Sequence, residues 1–541
     1  MKWILACSVA LSAVVLAQEK AEESSVTETF DVKGVIAAPV AKLVTPAMLP
    51  QTGEPKLLVF SSSLEAQEHV RQGFALIHAS WDFEAYRHFT AAVQADPQCL
   101  MAYVGIVLSL TSPQHEFHEQ RAIAYNRMLT LAEFKAAGEF YYPENERMYA
   151  VAIAELIANG LGNSLRVFKQ LTNDYPNDLQ AQLLTTYLSR GGYNALGNPR
   201  VKQRQAIERF QQLVEKNPED PMALNFLIMV QAEAPFGAVD FKNDLLPLAL
   251  KLSELSEGKV ATWQALLGFI ALRSGDAALA EKSYREAIAL FQQWQEANKL
   301  GIADNEGLVR SQLFLATVLH TQGKTKEATE LVASVLKAKV ESGREYSAGA
   351  LTLKWSGQLM PFRMHLEQGE PISAKSSLPK PTSTNRRDMD PYSAILLAYQ
   401  LYSDASVSIG KKDLTTARQQ HGKLALILSD MQKMQAQVSQ SYEFPYFMPA
   451  LSSLIVLHKE LTAHVSEKDG LAYNWYQSAI EAQPSESRLL PPEILFPIEF
   501  RMGLYQKKVG KMDQAKESFQ QALKRRPLYL KAQIELDSLN E

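Results

Sequence analysis

GLYQKKVGKMDQAKESFQQALKRRP, residues 503–527, has the same spacing as GFALIHASWDFEAYRHFTAAVQADP, residues 73–97. In both stretches a Gly is followed by Ala after twelve positions, an aromatic residue four later, Ala three later and Pro five later. These positions are Gly73, Ala85, Phe89, Ala92 and Pro97 in the first stretch, and Gly503, Ala515, Phe519, Ala522 and Pro527 in the second. Partial copies in the same register lie between them, for example Gly268, Ala280 and Tyr284. A spacing that recurs at both ends of a chain indicates a repeat architecture.

The spacing predicts pairs of antiparallel helices. We expect the first Gly and the first Ala to lie where two helices cross closely, because a larger side chain would separate their backbones. The aromatic residue then fills the gap to the next pair. A Gly in the turn, such as Gly275, Gly323 or Gly510, ends the first helix, and the Pro ends the second.

This pattern resembles the tetratricopeptide repeat (TPR), a helix–turn–helix unit of 34 residues. The resemblance covers most of residues 64–360 and 390–530. It implies an all-α fold, an α-solenoid of stacked antiparallel helix pairs forming a TPR-like superhelix with roughly ten pairs.

Five segments are expected along the 541 residues: a signal peptide at 1–17, a flexible N-terminal arm at 18–56, an N-terminal TPR-like array at 57–360, a Pro-rich linker or loop at 361–391, and a C-terminal TPR-like array at 392–541. The linker prediction rests on five prolines, Pro361, Pro371, Pro379, Pro381 and Pro391. We expect that density of Pro to exclude helix.

The first 17 residues, MKWILACSVALSAVVLA, have the pattern of an export signal. Lys2 is a short positive region, an apolar run follows, and Val15 and Ala17 are small enough for a signal peptidase. We therefore expect cleavage before Gln18 and a periplasmic or secreted protein. No later window approaches 18 uninterrupted apolar residues, so we expect no membrane span after signal removal. Cys99 would then be the one cysteine left, and its apolar surroundings predict a buried thiol.

Charge and motifs narrow the functional classes. Lys and Arg number 55 against 59 Asp and Glu, a net charge of -4, so there is no bulk positive field and we expect no nucleic acid partner. His115 and His118 would share a helix face, and Glu119 lies next to His118, which could form part of a metal site. We interpret them instead as a solvated first helical turn. No catalytic, cofactor-binding or metal-binding residue is therefore assigned, and no cofactor is expected.

The resemblance also implies a partner groove lined by the first helix of each repeat. Transferring the family's groove positions gives Phe74, His78, Phe269, Arg273, Arg310, His320, Lys507 and Lys508. Such a mixture of aromatic and basic side chains suits a peptide with apolar and acidic groups.

Three functional hypotheses follow. The leading one is an exported, non-enzymatic TPR scaffold that binds a protein or peptide partner in its concave groove. The alternative is a glycan- or nutrient-binding helical-repeat protein of the cell envelope. The third is a metal-dependent enzyme that uses His115 and His118.

Overall fold

The computed structural model of the chain describes residues 32–111, 116–194, 197–466 and 470–539. The predicted signal peptide lies outside the described residues. Within them, the contacts divide the chain into two compact units. Unit 1 contains the described residues up to Ala234 together with Leu248–Trp263 and Gln293–Leu300, and unit 2 contains Pro235–Pro247, Gln264–Gln292 and the described residues from Gly301 onward.

Helices follow one another along the whole described chain. Those wholly in unit 1 are α1 Leu64–His78, α2 Asp82–Ala95, α3 Leu100–Ser109, α4 His118–Glu133, α5 Glu144–Ala158, α6 Leu161–Asp174, α7 Leu179–Ser189, α8 Val201–Lys216 and α9 Pro221–Ala232. Three helices contribute residues to both units: α10 Leu246–Leu255, α11 Ala261–Ser274 and α12 Ala277–Asn298. Those in unit 2 are α13 Glu306–Thr321, α14 Thr325–Val335, α15 Ala348–Thr352, α16 Met360–Gln368, α17 Pro371–Ser377, α18 Pro391–Gly410, α19 Leu414–Val438, α20 Phe444–Val465, α21 Ala472–Ala482, α22 Ile498–Lys508, α23 Met512–Arg525 and α24 Leu530–Ser538.

Shorter elements connect the α-helices. Turns of 3-10 helix lie at Val32–Val35, Val40–Lys42, Pro50–Thr52 and Ile302–Asp304, and π-helical turns at Phe241–Leu245 and Leu353–Gly357. One antiparallel hairpin, β1 Lys135–Ala136 and β2 Glu139–Phe140, joins α4 to α5. None of the helices that the structure describes combines the length and the apolar composition required to cross a bilayer.

The repeat spacing forms the close helix crossings that the sequence predicts. A Cβ added to Gly73 of α1 would lie 2.6 Å from Cε1 of Phe89 on α2, and one added to Gly503 of α22 would lie 2.5 Å from Cε1 of Phe519 on α23. Each ring therefore occupies the space that a side chain would need. Gly510, in the α22–α23 turn, has φ +80°, which favours Gly over any residue with a side chain. Consecutive helices also pack as pairs elsewhere, α5 with α6 and α8 with α9 in unit 1, and α13 with α14, α18 with α19 and α20 with α21 in unit 2, which confirms the predicted all-α fold of stacked helix pairs.

The core of unit 1 includes the region predicted to be a flexible arm. From Val32 onward that region is packed: Val35 is buried, and the Tyr86 hydroxyl of α2 donates to its carbonyl oxygen at 2.8 Å. Arg87, 1% exposed, is held between the Glu84 carboxylate at 2.6 Å, the Val44 carbonyl and the Asn298 side-chain oxygen, both at 2.8 Å. The described part of the arm is thus a structural part of unit 1. Cys99 is buried, as predicted, and burial raises its pKa to about 12.

The segment 361–391 corrects the prediction that Pro excludes helix there. Pro361, Pro371 and Pro391 each occupy the first turn of a helix, α16, α17 and α18. A proline in the first turn needs no hydrogen-bond donor, because the first N–H groups of a helix have no partner within it. Only residues 369–370 and 378–390 of the segment are without helix, and the contacts place the whole segment inside unit 2, not at a boundary.

Candidate functional site

Four of the predicted groove residues are buried, so the prediction that they face an open groove is wrong. Phe74 is fully buried and packs edge-to-face on Phe89, with ring centroids 5.2 Å apart. His78 is also fully buried, and its Nε2 lies 2.5 Å from the Gln180 side-chain oxygen. Burial lowers the pKa of His78 to about 4, against the opposing effect of that hydrogen bond. Phe269 and His320 in unit 2 are 2% and 5% exposed.

The basic residues of the predicted groove are mostly engaged in ion pairs. Arg310 lies 3.5 Å from Glu306 one turn earlier on α13. Lys507, 37% exposed, lies 2.7 Å from the Glu535 carboxylate of α24. Lys508 is exposed. These three remain accessible to solvent to different degrees.

Arg273 belongs to a cationic site in unit 2 that the sequence did not reveal. We define the arginine cleft by Arg273 of α11, Arg525 at the end of α23 and Arg526 directly after it. Its walls are formed by Leu272, Arg273, Thr317, Thr321, Glu486, Pro492, Arg525, Arg526, Pro527, Leu528 and Tyr529.

Two carboxylates partly neutralise the arginine cleft. Glu486 lies 3.5 Å from Nε of Arg273 and 2.8 Å from Nε of Arg526. Glu499 lies 2.7 Å from Nε of Arg525. Burial raises the pKa of Glu486, but the adjacent Arg526 and Arg273 outweigh it, so the pKa is lowered and the carboxylate stays ionised. Three guanidinium groups thus share two carboxylates.

The buried guanidinium of Arg273 retains unused hydrogen-bonding capacity. Its side chain is 7% exposed, it packs over the Phe241 ring at 4.4 Å, and its Nη1 has no hydrogen-bond partner among the residues that the structure describes. Burial lowers the pKa of Arg273, Glu486 opposes that effect, and Arg526 and Arg525 add to it. A buried guanidinium N–H without an acceptor is costly.

The arginine cleft is small. Its cavity volume is ≈ 20 Å³, whereas holding a single water requires about 10–15 Å³ on the same measure. Organic substrates and cofactors occupy sites of roughly 300–1,000 Å³. The cleft can therefore enclose one small group and is too small for a substrate of that size.

The hydrogen-bonded carboxylate of Glu367 lies beside the arginine cleft, and the predicted groove residue His320 is one of its partners. Glu367 of α16 is contacted by His320 Nε2 at 2.9 Å, by the Tyr529 hydroxyl at 2.8 Å and by Lys531 at 3.0 Å. Burial raises its pKa, but these partners outweigh burial and lower the pKa to about 2. Glu367 is thus a fixed negative charge that joins α13, α16 and α24.

Unit 1 carries a cluster of exposed aromatic rings at the α4–α5 hairpin. We define the aromatic patch by Phe60, Phe140 and Tyr141, which are 41%, 44% and 43% exposed. Phe60 packs edge-to-face on Tyr141 at 5.4 Å between ring centroids. The adjacent Tyr142 is buried, and its hydroxyl donates to the Gln98 carbonyl at 2.7 Å, which links the hairpin to the turn between α2 and α3.

Cations surround the Phe140 ring of the aromatic patch. The Arg147 guanidinium lies 3.2 Å from the ring centroid and the Lys135 ammonium 4.7 Å from it. Exposed aromatic residues with adjacent Arg are typical of the centres of protein interfaces. In such a patch the rings are held in place before a partner arrives, which lowers the entropy lost on binding.

A buried carboxylate, that of Glu146, is hydrogen-bonded to the backbone of the aromatic patch. Glu146 of α5 is 1% exposed and accepts the Phe60 backbone N–H at 2.5 Å, while its Oε2 has no hydrogen-bond partner in the described part of the chain. Burial raises the pKa of Glu146 to about 8, against the lowering effect of the Phe60 N–H.

The histidines of the metal hypothesis are only partly described. His118 is the first residue of α4, and His115 lies outside the described residues. Among the residues that are described, no three or more His, Cys, Asp or Glu side chains come close enough together to hold a metal ion.

The sequence analysis missed the aromatic patch because its turn gives a weak signal. Ala137 and Gly138 both have positive φ, 51° and 85°, as a two-residue hairpin turn requires. Asn-Gly or Asp-Gly would have indicated that turn, whereas Ala-Gly does not. The available signal was the run of three aromatic residues directly after Gly138-Glu139.

Comparison with known proteins assigns the C-terminal repeat. The family model of the tetratricopeptide repeat matches residues 500–527, which span most of α22 and α23. The chain is therefore an all-α protein of stacked helix pairs that contains a tetratricopeptide repeat, as predicted. Among curated proteins, none matches the sequence.

Two solved structures are among those that match the chain. The human IFIT1 dimer with PPP-AAAA is 12% identical, with 85% of this chain and 91% of that chain covered and a TM-score of 0.34. The P58(IPK) TPR domain is 11% identical, with 87% of this chain and 98% of that chain covered and a TM-score of 0.19. At these identities and TM-scores neither structure bears on the function of this chain.

Proposed function

We propose that this protein is an exported, non-enzymatic scaffold that binds a protein or peptide partner. TPR proteins generally serve as protein-interaction scaffolds, which supports the general class. The pattern of residues 1–17 supports export. The aromatic patch carries the proposal, because it combines exposed, mutually packed rings with an arginine in unit 1.

The contact chemistry of the aromatic patch favours a protein partner over a glycan. The patch consists of Phe and Tyr rings with Arg147 and Lys135 beside them. This combination suits a partner protein that presents apolar and acidic side chains. Trp263 and Trp355 are 2% and 1% exposed, and Trp475, which is 37% exposed, lies on α21 of unit 2 and outside the aromatic patch. Glycan binding remains the alternative outcome of the experiment.

The experiment compares affinity capture by the full chain with capture by two variants, Tyr141→Ser and Phe140→Ser. Tyr473→Ser is the matched control, because Tyr473 is 42% exposed on α21 of unit 2. Mass spectrometry of proteins captured from the native cell envelope identifies candidates, and calorimetry measures the affinity of the purified candidate.

We expect one partner to bind the wild type and the Tyr473→Ser control equally. Its dissociation constant should rise about 30-fold in each patch variant, the loss expected for a central aromatic contact. A partner that binds all four proteins equally would refute the aromatic patch as the interface. If the wild type binds an oligosaccharide, and the two patch variants bind it more weakly, the glycan alternative is selected. Intact mass of the native protein should show Gln18 as its first residue.

A further inference from the structure

An extended segment of unit 1, residues 57–60, lies shortly before α1 and ends in Phe60 of the aromatic patch. Its residues alternate in burial: Leu57 and Val59 are 4% and 8% exposed, whereas Leu58 and Phe60 are 86% and 41% exposed. Burial with a period of two residues is the pattern of a strand that packs one face on a core. The segment belongs to neither of the two strands, β1 and β2, that the described part of the chain contains.

The main chain of this segment leaves several polar groups unpaired. Among the residues that the structure describes, the N–H groups of Leu58 and Val59 have no hydrogen-bond acceptor, and no donor contacts the carbonyl oxygens of residues 57–60. Almost all buried main-chain groups of folded proteins are paired. These groups therefore face solvent, where an unpaired strand edge can accept a further strand.

A hydrogen bond to α5 determines which edge of the segment is open. The Phe60 N–H donates to Glu146 Oε1 at 2.5 Å. In an extended strand the N–H and C=O groups of residues two apart point to the same edge, and those of adjacent residues point to opposite edges. The edge of Leu58 and Phe60 therefore faces α5. The opposite edge presents the N–H and C=O of Val59 and the carbonyl of Leu57, whose own N–H is bonded two residues back.

We propose that this open edge binds an extended segment of the protein partner, which adds as an antiparallel strand beside residues 57–59. The partner residue opposite Val59 accepts from its N–H and donates to its carbonyl oxygen. Apolar side chains of the partner lie beside Leu58 and Phe60 on the exposed face, and an acidic side chain suits the end near Arg147. This binding mode rests on the proposed function and specifies the conformation of the partner at the aromatic patch.

The unpaired main-chain groups favour a strand over a helix as the partner element. A helix could cover the same rings, but its own main-chain groups are already paired within the helix. It would remove the Val59 N–H and carbonyl from water without replacing their hydrogen bonds, which is costly. A strand supplies both partners and also packs its side chains on the exposed face.

The experiment removes single main-chain donors from the full-length protein and leaves the side chains unchanged. In one protein an ester oxygen replaces the N–H of residue 59, through incorporation of the 2-hydroxy acid analogue of valine. The matched control has the same replacement at residue 58, whose N–H points to the edge beside α5. A third protein, Leu58→Asp, changes an exposed apolar side chain of the segment. The probes are linear peptides selected on the wild type from a random display library, followed by any protein that the wild type captures from the cell envelope.

We expect the dissociation constant of the selected peptides to rise about three- to tenfold for the ester at residue 59, as for the loss of one hydrogen bond. It should stay unchanged for the ester at residue 58 and rise in Leu58→Asp. Infrared spectra of peptides with isotope-labelled carbonyl groups should show the band of paired strands on binding. Equal affinity of the wild type and the ester at residue 59, with circular dichroism showing both folded, would overturn the proposal.

The captured protein separates this binding mode from the proposed function. A captured protein that binds Tyr141→Ser weakly and the ester at residue 59 as tightly as the wild type would keep the aromatic patch as the interface and overturn the added strand. Selected peptides that depend on the N–H of residue 59, with no protein captured, would support the strand and contradict the scaffold function. A dimer of this chain that the ester at residue 59 dissociates would assign the edge to a second copy and overturn the proposal.

Discussion

Glu146→Gln should stabilise unit 1 at alkaline pH and leave it almost unchanged at acidic pH. Glu146 is 1% exposed and has a pKa of about 8, against an ordinary value of 4.5. Between these two values the folded protein keeps a proton that the unfolded chain has released. Folding stability contributed by this group therefore falls as pH rises from about 4.5 to 8.

The magnitude follows from the size of the shift. At 1.36 kcal/mol per pKa unit, a rise from 4.5 to about 8 corresponds to roughly 5 kcal/mol of cost for the ionised form. Gln keeps an oxygen acceptor for the Phe60 N–H and carries no charge to bury. We expect the variant to equal the wild type near pH 5 and to exceed it by about 2–4 kcal/mol at pH 8.5.

Hydrogen–deuterium exchange of α5 peptides across a urea series measures this difference in unit 1 alone, which matters because two units need not unfold together. His78 has a folded pKa of about 4, so its effect on stability has the opposite sign and lies below pH 6.5. Subtracting the wild type from the variant removes the contribution of His78. Glu144→Gln, an exposed change at the start of the same helix, is the control. A difference between variant and wild type that does not grow between pH 5 and 8.5 would refute the assignment of a buried, neutral Glu146.

Three further predictions concern unit 2. Gly503→Ala should cost about 1–3 kcal/mol, because the new Cβ would lie 2.5 Å from Phe519, and exchange protection of α22 measures it; unchanged protection would mean that the ring moves aside freely. Ala515→Asp should cost more than that, since Ala515 is fully buried, whereas Lys507→Ala should change stability by within about 0.5 kcal/mol. Denaturant melts compare the two, and similar losses would contradict the assigned repeat register. Limited proteolysis followed by N-terminal sequencing should cut within 378–390, and first cuts inside α16 or α17 would show that those helices open readily.

The fold could be predicted because its cause is local and repeated. The Gly that leaves space at a helix crossing and the aromatic ring that fills that space lie within seventeen residues of each other, as at Gly503 and Phe519. Sequence alone therefore contains both members of each contact. The Pro-rich segment was mispredicted because its prolines were counted without their positions, and Pro371 at the start of a helix has the effect opposite to that of Pro in its middle.

The candidate sites could be predicted only in part, because their contacts join distant residues. Family positions named Arg273 as a groove residue, but its partner Glu486 lies more than two hundred residues later. The same positions assume an open concave face, whereas His78 is covered by contacts such as that with Gln180, 102 residues away. The repeat spacing does not indicate which first helices are covered by other parts of the chain. The groove assignment was therefore wrong for the residues that are buried in the core.

The hydrogen bond between Arg87 and Asn298 has a consequence for synthesis of the chain. The two residues are separated by 211 positions, and the residues between them include a stretch of unit 2. At a translation rate of roughly 5–20 residues per second, the ribosome needs roughly 10–40 s to reach Asn298 after Arg87 has been made. During that interval Arg87 of the nascent chain lacks its hydrogen bond to Asn298. A chaperone that binds this region and delays packing of unit 1 therefore has a defined time in which to act.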